Sequence, residues 1–213
     1  MKKEGIKLIC FDLDQTVITG SSWRWFNRAL GISEEDDTAL YESYYKGDIT
    51  YDEWNHKLMD LYRTHPYANK EKITEILMRY TYAEGIKEAV DYLKGQGYIL
   101  VLISGSIDIL VTAVANELGI PYSKANNTFI FDESGRLHRI DDGGDDTKAK
   151  ARYLEEFSKE LAIPIQECAA IGDGANDVEL FRITAHGITF RGSTIEDDAW
   201  KIIDTFADLK NIF

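Results

Sequence analysis

Short apolar runs alternate along this chain with longer stretches in which apolar residues recur at steps of three and four. Ile6 to Phe11 reads as a first buried strand and Tyr98 to Ile103 as a second. A helix is expected between them, beginning near Glu84 and ending at Gly95-Gln96-Gly97. Ile107 to Leu118 reads as a helix stopped by Gly119-Ile120-Pro121. It is followed by a hairpin built from Phe129-Ile130-Phe131, a turn at Glu133-Ser134-Gly135, and Leu137 to Ile140. A long helix starts near Thr147, and Ala169-Ala170-Ile171 is the third core strand. A helix over Ala175 to Ile183 and a fourth strand over Gly187 to Phe190 follow, with Ile202-Ile203 a weaker candidate for a fifth. Strands that are apolar throughout, alternating with helices, predict a mainly parallel sheet covered on both faces.

Residues 21–83 break the alternation. They hold helical stretches at Trp23 to Leu30, Glu35 to Tyr45, Tyr51 to Tyr62 and Lys70 to Tyr80, and no convincing strand. Thr50 followed by Glu53 suits a capping box that opens the third of these. Trp23, Trp25, Trp54 and a dense set of tyrosines fall here, and they read as the core of a small helical bundle. The expected fold is therefore α/β: a Rossmann-like core formed by residues 1–18 and 84–213, with a helical cap inserted as residues 19–83.

A chain of 213 residues, 44% hydrophobic and 29% charged, fits one medium domain carrying a smaller inserted one. No secretory leader is expected at its start, and no apolar run approaches the roughly 20 residues that span a bilayer. Cys10 and Cys168 both fall in strand-like segments, so they read as core residues of a protein in a reducing compartment, and a cytoplasmic location is expected. A net charge of −13 argues against nucleic acid as a partner. The same charge opposes any anionic ligand, which would need a local cluster of metal, lysine and backbone N–H groups to overcome it.

Candidate chemistry collects at strand ends, the edge where open parallel sheets bind ligands. After the first strand comes Phe11-Asp12-Leu13-Asp14, two carboxylates able to divide nucleophilic and proton-transfer work. After the second comes Ser104-Gly105-Ser106, a hydroxyl and backbone N–H groups at a helix start, which suits an anion. The helix near Thr147 has a core stripe of Leu154, Phe157 and Leu161. Lys150 lies on that stripe and Lys148 does not, which favours Lys150 as the lysine that needs a buried anionic partner. After Ala169-Ala170-Ile171 comes Gly172-Asp173-Gly174-Ala175-Asn176-Asp177, whose carboxylates suit Mg²⁺. His56, His65, His138 and His186 are scattered, form no zinc-type grouping, and read as structural or exposed.

Taken in this order, the four segments resemble the haloacid dehalogenase superfamily of aspartate-nucleophile phosphotransferases, and within it the phosphoserine phosphatase-like branch. The resemblance covers nearly the whole chain. It implies that Asp12 is the nucleophile and Asp14 the acid and base. It also implies that Asp12, the backbone oxygen of Asp14 and Asp173 hold magnesium, with Asp177 behind them. Ser104, Gly105, Asn176 and the lysine would hold the phosphate, and the family's spacing back from Asp173 also lands on Lys150. Dehalogenases lack the second aspartate, so Asp14 speaks for a phosphatase. The expected substrate is a small phosphorylated metabolite, hydrolysed through an aspartyl-phosphate. The alternatives are transfer to an alcohol acceptor or a phosphate-binding module without turnover. Three departures concern the substrate. Gly20-Ser21-Ser22 stands where that branch has a substrate-gripping glutamate, Tyr51 to Leu61 offers no arginine, and Ser106 replaces a glycine.

Overall fold

The computed structural model describes residues 5–213, so the first four residues of the expected core segment lie outside the described residues. The strands are β1 (Leu8–Phe11), β2 (Ile99–Ile107), β3 (Tyr122–Phe131), β4 (Leu137–Asp142), β5 (Cys168–Ile171), β6 (Gly187–Phe190) and β7 (Lys201–Ile203). They form one sheet in the order β4-β3-β2-β1-β5-β6-β7, parallel except where β4 pairs antiparallel with β3. Every residue of β1 is buried, which requires a neighbouring strand on each edge and cover on each face. Its neighbours β2 and β5 align Leu102 and Ile171 with Phe11, so β1 and β5 end at the same level while β2 runs on past them to Ile107.

The two-residue period of the strands divides the core in two. Ile9 and Phe11 face one cluster together with Leu100, Leu102 and the apolar stripes of α5 (Ile86–Gly95) and α6 (Asp108–Leu118). Leu8, Cys10, Val101 and Ile103 face the other, against Leu154 and Phe157 of α7 (Asp146–Glu160) and Leu180 and Phe181 of α8 (Val178–Thr184). Both cysteines are free and buried.

Between β1 and α5 run α1 (Ser22–Ala29), α2 (Glu34–Tyr45), α3 (Tyr51–Thr64) and α4 (Lys70–Leu77). Thr50 and Glu53 form both bonds of the capping box at the head of α3. Phe26 and Tyr62 are fully buried where these helices meet, their rings 5.3 Å apart and edge-to-face, an arrangement worth roughly 0.5–1.5 kcal/mol beyond the area it buries. Their contacts continue into the α5–α6 side of the sheet core.

Three elements differ from the sequence reading. β2 does not stop at Ile103 but continues through Ser104-Gly105-Ser106 to Ile107, and α6 starts at Asp108. The extension is held by the first half of β3, Tyr122 to Asn127, which pairs parallel with it across an irregularity between Ser104 and Ile107. That half of β3 is rich in polar residues, so no apolar run announces it; only its continuation at Phe129 carries the expected signal. Residues Ala175–Asp177 form a 3₁₀ turn, and α8 follows it rather than including it. Among the described residues, no helix is long and apolar enough to cross a membrane.

Candidate active site

Because β1 and β5 end level with Leu102 of β2, the segments that follow β1 and β5 meet the Ser104-Gly105-Ser106 extension of β2 at one edge of the sheet. Asp12 continues β1, and its N–H donates to the Ile171 carbonyl at 2.9 Å. Lys150, fully buried on the first turns of α7, reaches between two of these segments. Its Nζ lies 2.7 Å from Asp12 Oδ1 and 2.7 Å from Asp177 Oδ1. Lys148 is exposed. Burial disfavours the Lys150 ammonium, but the two carboxylates outweigh it and hold it protonated.

Asp177 has neither oxygen to spare. Oδ1 faces Lys150, and Oδ2 accepts the N–H groups of Asp173 at 3.2 Å and Gly174 at 3.3 Å. The turn closes this tightly because residue 172 is glycine: a Cβ there would fall 2.3 Å from Asp177 Oδ2. Asp173 accepts from Thr16 Oγ1 and Gln15 Nε2, each at 3.2 Å. Carboxylate oxygens of Asp12, Asp173 and Asp177 lie within 4.8 Å of one another. Burial, followed by repulsion from Asp177, pushes the Asp173 carboxyl up to about 6, and burial likewise raises Asp12. Three carboxylates around one ammonium leave an excess of buried negative charge, and every donor is a hard oxygen. The cluster therefore suits a divalent metal ion. Of its three members Asp177 is the most fully committed to protein donors, with three hydrogen bonds on its two oxygens.

Asp14 sits two residues on. Its Oδ2 accepts from Ser22 Oγ at 2.6 Å, and Ser22 Oγ lies 2.6 Å from Ser106 Oγ. A hydroxyl carries one proton, so if Ser22 donates to Asp14, Ser106 must donate to Ser22. Asp14 Oδ1 is buried with no hydrogen-bond partner. Burial raises this carboxyl to about 6, against the lowering effect of the Ser22 bonds. Ser22 was missed by the sequence reading, although it lies in the stretch marked there as lacking a glutamate. Ser106, which the sequence places in the anion-suited Ser104-Gly105-Ser106 segment and where the branch has a glycine, finds in Ser22 a partner for its hydroxyl.

Ser104 is buried and accepts the Ser106 N–H at 3.1 Å. The Gly105 carbonyl is pinned by Trp23 Nε1 at 3.1 Å and Asn127 Nδ2 at 2.8 Å. A Cβ on Gly105 would meet the Asp146 carboxylate at 2.4 Å, so this close approach also requires glycine. Asn176, on the 3₁₀ turn, lines the same cavity as Asp12, Asp14, Ser104, Gly105 and Asp173, a space of about 330 Å³. None of the four histidines lines it.

The far end of the cavity corrects the reading of the aromatics. Phe26 and Tyr62 form the buried centre of the helical block, whereas Tyr41, Tyr44, Tyr51 and Trp54 line the cavity from α2 and α3. Tyr44 packs on Trp54 at 5.1 Å, Tyr51 on Trp54 at 5.8 Å, and the Tyr44 hydroxyl donates to Asp145 at 2.9 Å. Tyr51 and Trp54, three positions apart, share one face of α3, and Tyr41 and Tyr44 share one face of α2, but such spacing does not say what either face meets.

Residues 9–182 match the family model of the haloacid dehalogenase-like hydrolases. The phosphoserine phosphatase of Methanocaldococcus jannaschii is 31% identical over 208 residues, 97% of this chain and 95% of that protein. That of Archaeoglobus fulgidus is 31% identical over 193 residues, 90% of this chain but 54% of that longer protein. A solved structure described as a phospho-aspartyl intermediate analogue of phosphoserine phosphatase superposes with a TM-score of 0.80 at 28% identity. It covers 98% of this chain and 99% of that one. The chain belongs to the haloacid dehalogenase-like hydrolases. Within that family it is a phosphatase, a phosphoric monoester hydrolase.

Proposed function

We propose that Asp12 is the nucleophile of a two-step hydrolysis and Asp14 its acid and base. One observation carries this reading: Asp12, oriented by Lys150 at the reacting end of the cavity, stands beside an Asp14 whose Oδ1 is buried, unpartnered and raised to about 6. In the first step an Asp12 oxygen attacks phosphorus, the bond to the substrate's alcohol oxygen breaks, and the Asp14 carboxyl gives that oxygen its proton. In the second, water attacks the aspartyl-phosphate, Asp14 takes up a proton from it, and inorganic phosphate leaves with Asp12 restored. A carboxyl near 6 can occupy both protonation states around neutral pH, as the two steps require.

Ser104, Gly105, Asn176 and Lys150 are the residues proposed to hold the phosphate, with Lys150 offsetting charge on the transferring group. Asp12, Asp173 and the backbone oxygen of Asp14 are proposed to hold Mg²⁺, with Asp177 bracing Lys150 and the Asp173 loop. The ion would supply positive charge between the anionic nucleophile and the anionic substrate. Residues 19–83 serve as a cap over the site, and residues 1–18 and 84–213 as the catalytic core. That division is supported by the hydrogen bonds of Trp23 to Gly105 and of Tyr44 to Asp145 across it.

The substrate proposed is a small phosphorylated metabolite. The net charge of −13 disfavours nucleic acid, and the buried free thiols suit a cytoplasmic setting. The relatives' names suggest phosphoserine, yet the glutamate and arginine that grip it in that branch are absent from positions 20–22 and 51–61. Phosphate release from p-nitrophenyl phosphate with and without Mg²⁺, in the wild type and in Asp12→Asn, tests the assignment. Turnover should require both the ion and the carboxylate. Substantial activity in a clean Asp12→Asn preparation would remove Asp12 as nucleophile.

A further inference from the structure

The cavity has a charge pattern beyond Asp12, Asp14 and Asp173 that the phosphatase reading does not use. Asp37, Asp145 and Asp146 line it, and among the described residues Arg24, exposed on α1, is the one lysine or arginine that does. Asp37 already accepts from Asn27 at 2.8 Å, and Asp145 from Tyr44 and from the Lys148 N–H. Asp146 is less well compensated. Asn126 donates to it and its carboxylate packs against Gly105. Burial nonetheless pushes it up to about 6, outweighing the lowering by the Lys150 charge and the Asn126 bond, with Asp145 and Asp142 adding repulsion.

A second group points the same way. Asn127 is 1% exposed and lines the cavity. The Gly105 carbonyl can only accept, so Asn127 must turn its Nδ2 toward it. That leaves Oδ1 directed elsewhere and buried without a well-formed hydrogen bond, the Tyr51 hydroxyl being the polar neighbour of this amide. An under-compensated carboxylate and an unfilled carbonyl acceptor both call for a donor. The rings of Tyr44, Tyr51 and Trp54 add π faces, which attract cations. A substrate carboxylate placed here would instead be repelled by Asp146 and would have to reach Arg24 for an opposite charge.

We propose that the leaving group this cavity selects is an alcohol carrying an ammonium and no carboxylate, held by Asp146, the Asn127 carbonyl and the aromatic wall. The proposal rests on the phosphatase reading and narrows its substrate class. Primary and quaternary ammonium groups both fit the proposal, since both present positive charge to the carboxylate and the rings.

The test is kcat/KM for phosphate release, with Mg²⁺, on five esters. These are 2-aminoethyl phosphate, its trimethylammonium analogue, glycerol 3-phosphate, phosphoserine, and p-nitrophenyl phosphate as reporter of turnover. At least one ammonium ester should exceed both glycerol 3-phosphate and phosphoserine by about tenfold or more, a difference of ~1.4 kcal/mol. Asp146→Asn should cut the ratio of the ammonium ester to glycerol 3-phosphate by about tenfold. Asp145→Asn, which keeps the helix cap, should cut it less. Melting curves would establish that both variants are folded. Reporter turnover without an ammonium preference overturns this proposal alone, as does phosphoserine ranking first or an Asp146→Asn ratio that does not move. No turnover of any ester overturns the phosphatase reading and this proposal with it.

Discussion

Replacing Lys150 with methionine keeps most of the side chain's length and removes the ammonium that faces Asp12 and Asp177. The lysine and Asp177 are fully buried and Asp12 nearly so, and both contacts are 2.7 Å. Removing one member of a buried ion cluster leaves the others uncompensated, at a cost of about 3–5 kcal/mol. In a domain of this size each kcal/mol moves the melting temperature by about 2–4 °C, so Lys150→Met should melt about 6–20 °C lower. The pH dependence has a definite sign. Burial already raises Asp12 above its usual value, and losing Lys150 raises it further. The native state then binds protons that the unfolded state does not, so the deficit is full at alkaline pH and shrinks as pH falls. Adding Asp177→Asn removes one stranded charge and should recover much of the lost stability without restoring activity. Thermal and urea unfolding in chelator, on the wild type, both single variants and the double variant, measure the coupling. A melting shift under about 2 °C for Lys150→Met, or no recovery in the double variant, would refute the reasoning.

Asp14→Asn should slow turnover about 10²–10⁴-fold, the usual worth of a positioned proton-transfer group, and steady-state kinetics on an ester with a poor leaving group would expose it. Saturating Mg²⁺ at about 100 times its dissociation constant should stabilise the wild type by about 2.7 kcal/mol in thermal unfolding. Asp173→Asn should lose most of that gain. Ca²⁺, which takes more and looser ligands, should replace Mg²⁺ poorly in turnover; equal rates with the two ions would contradict the proposed site. Asp146, raised from 3.8 to about 6, binds its extra native-state proton between those values, so wild-type stability falls as pH rises through that window. Asp146→Asn lacks this slope and should be the more stable protein at pH 8, by up to about 3 kcal/mol in urea unfolding.

The parts of this protein legible in its sequence are those encoded by local periodicity. Apolar runs marked β1, β5 and β6 because strands buried on both faces need no polar positions, and the motif aspartates were found because each follows such a run. The step from Lys150 to Leu154 marked a buried lysine, because helix geometry alone decides which positions share a face. Tertiary structure decided the rest. The parallel half of β3 is polar and exists because β2 lies beside it. Ser22 and Ser106 are 84 positions apart, and neither has a local pattern that tells it from an ordinary turn serine. The aromatics of residues 21–83 read as a helix-bundle core, yet Tyr44, Tyr51 and Trp54 line a cavity, and only the fold brings Asp146 against Gly105. Periodicity reports which side of an element is apolar or buried; only the packed chain determines what stands opposite it.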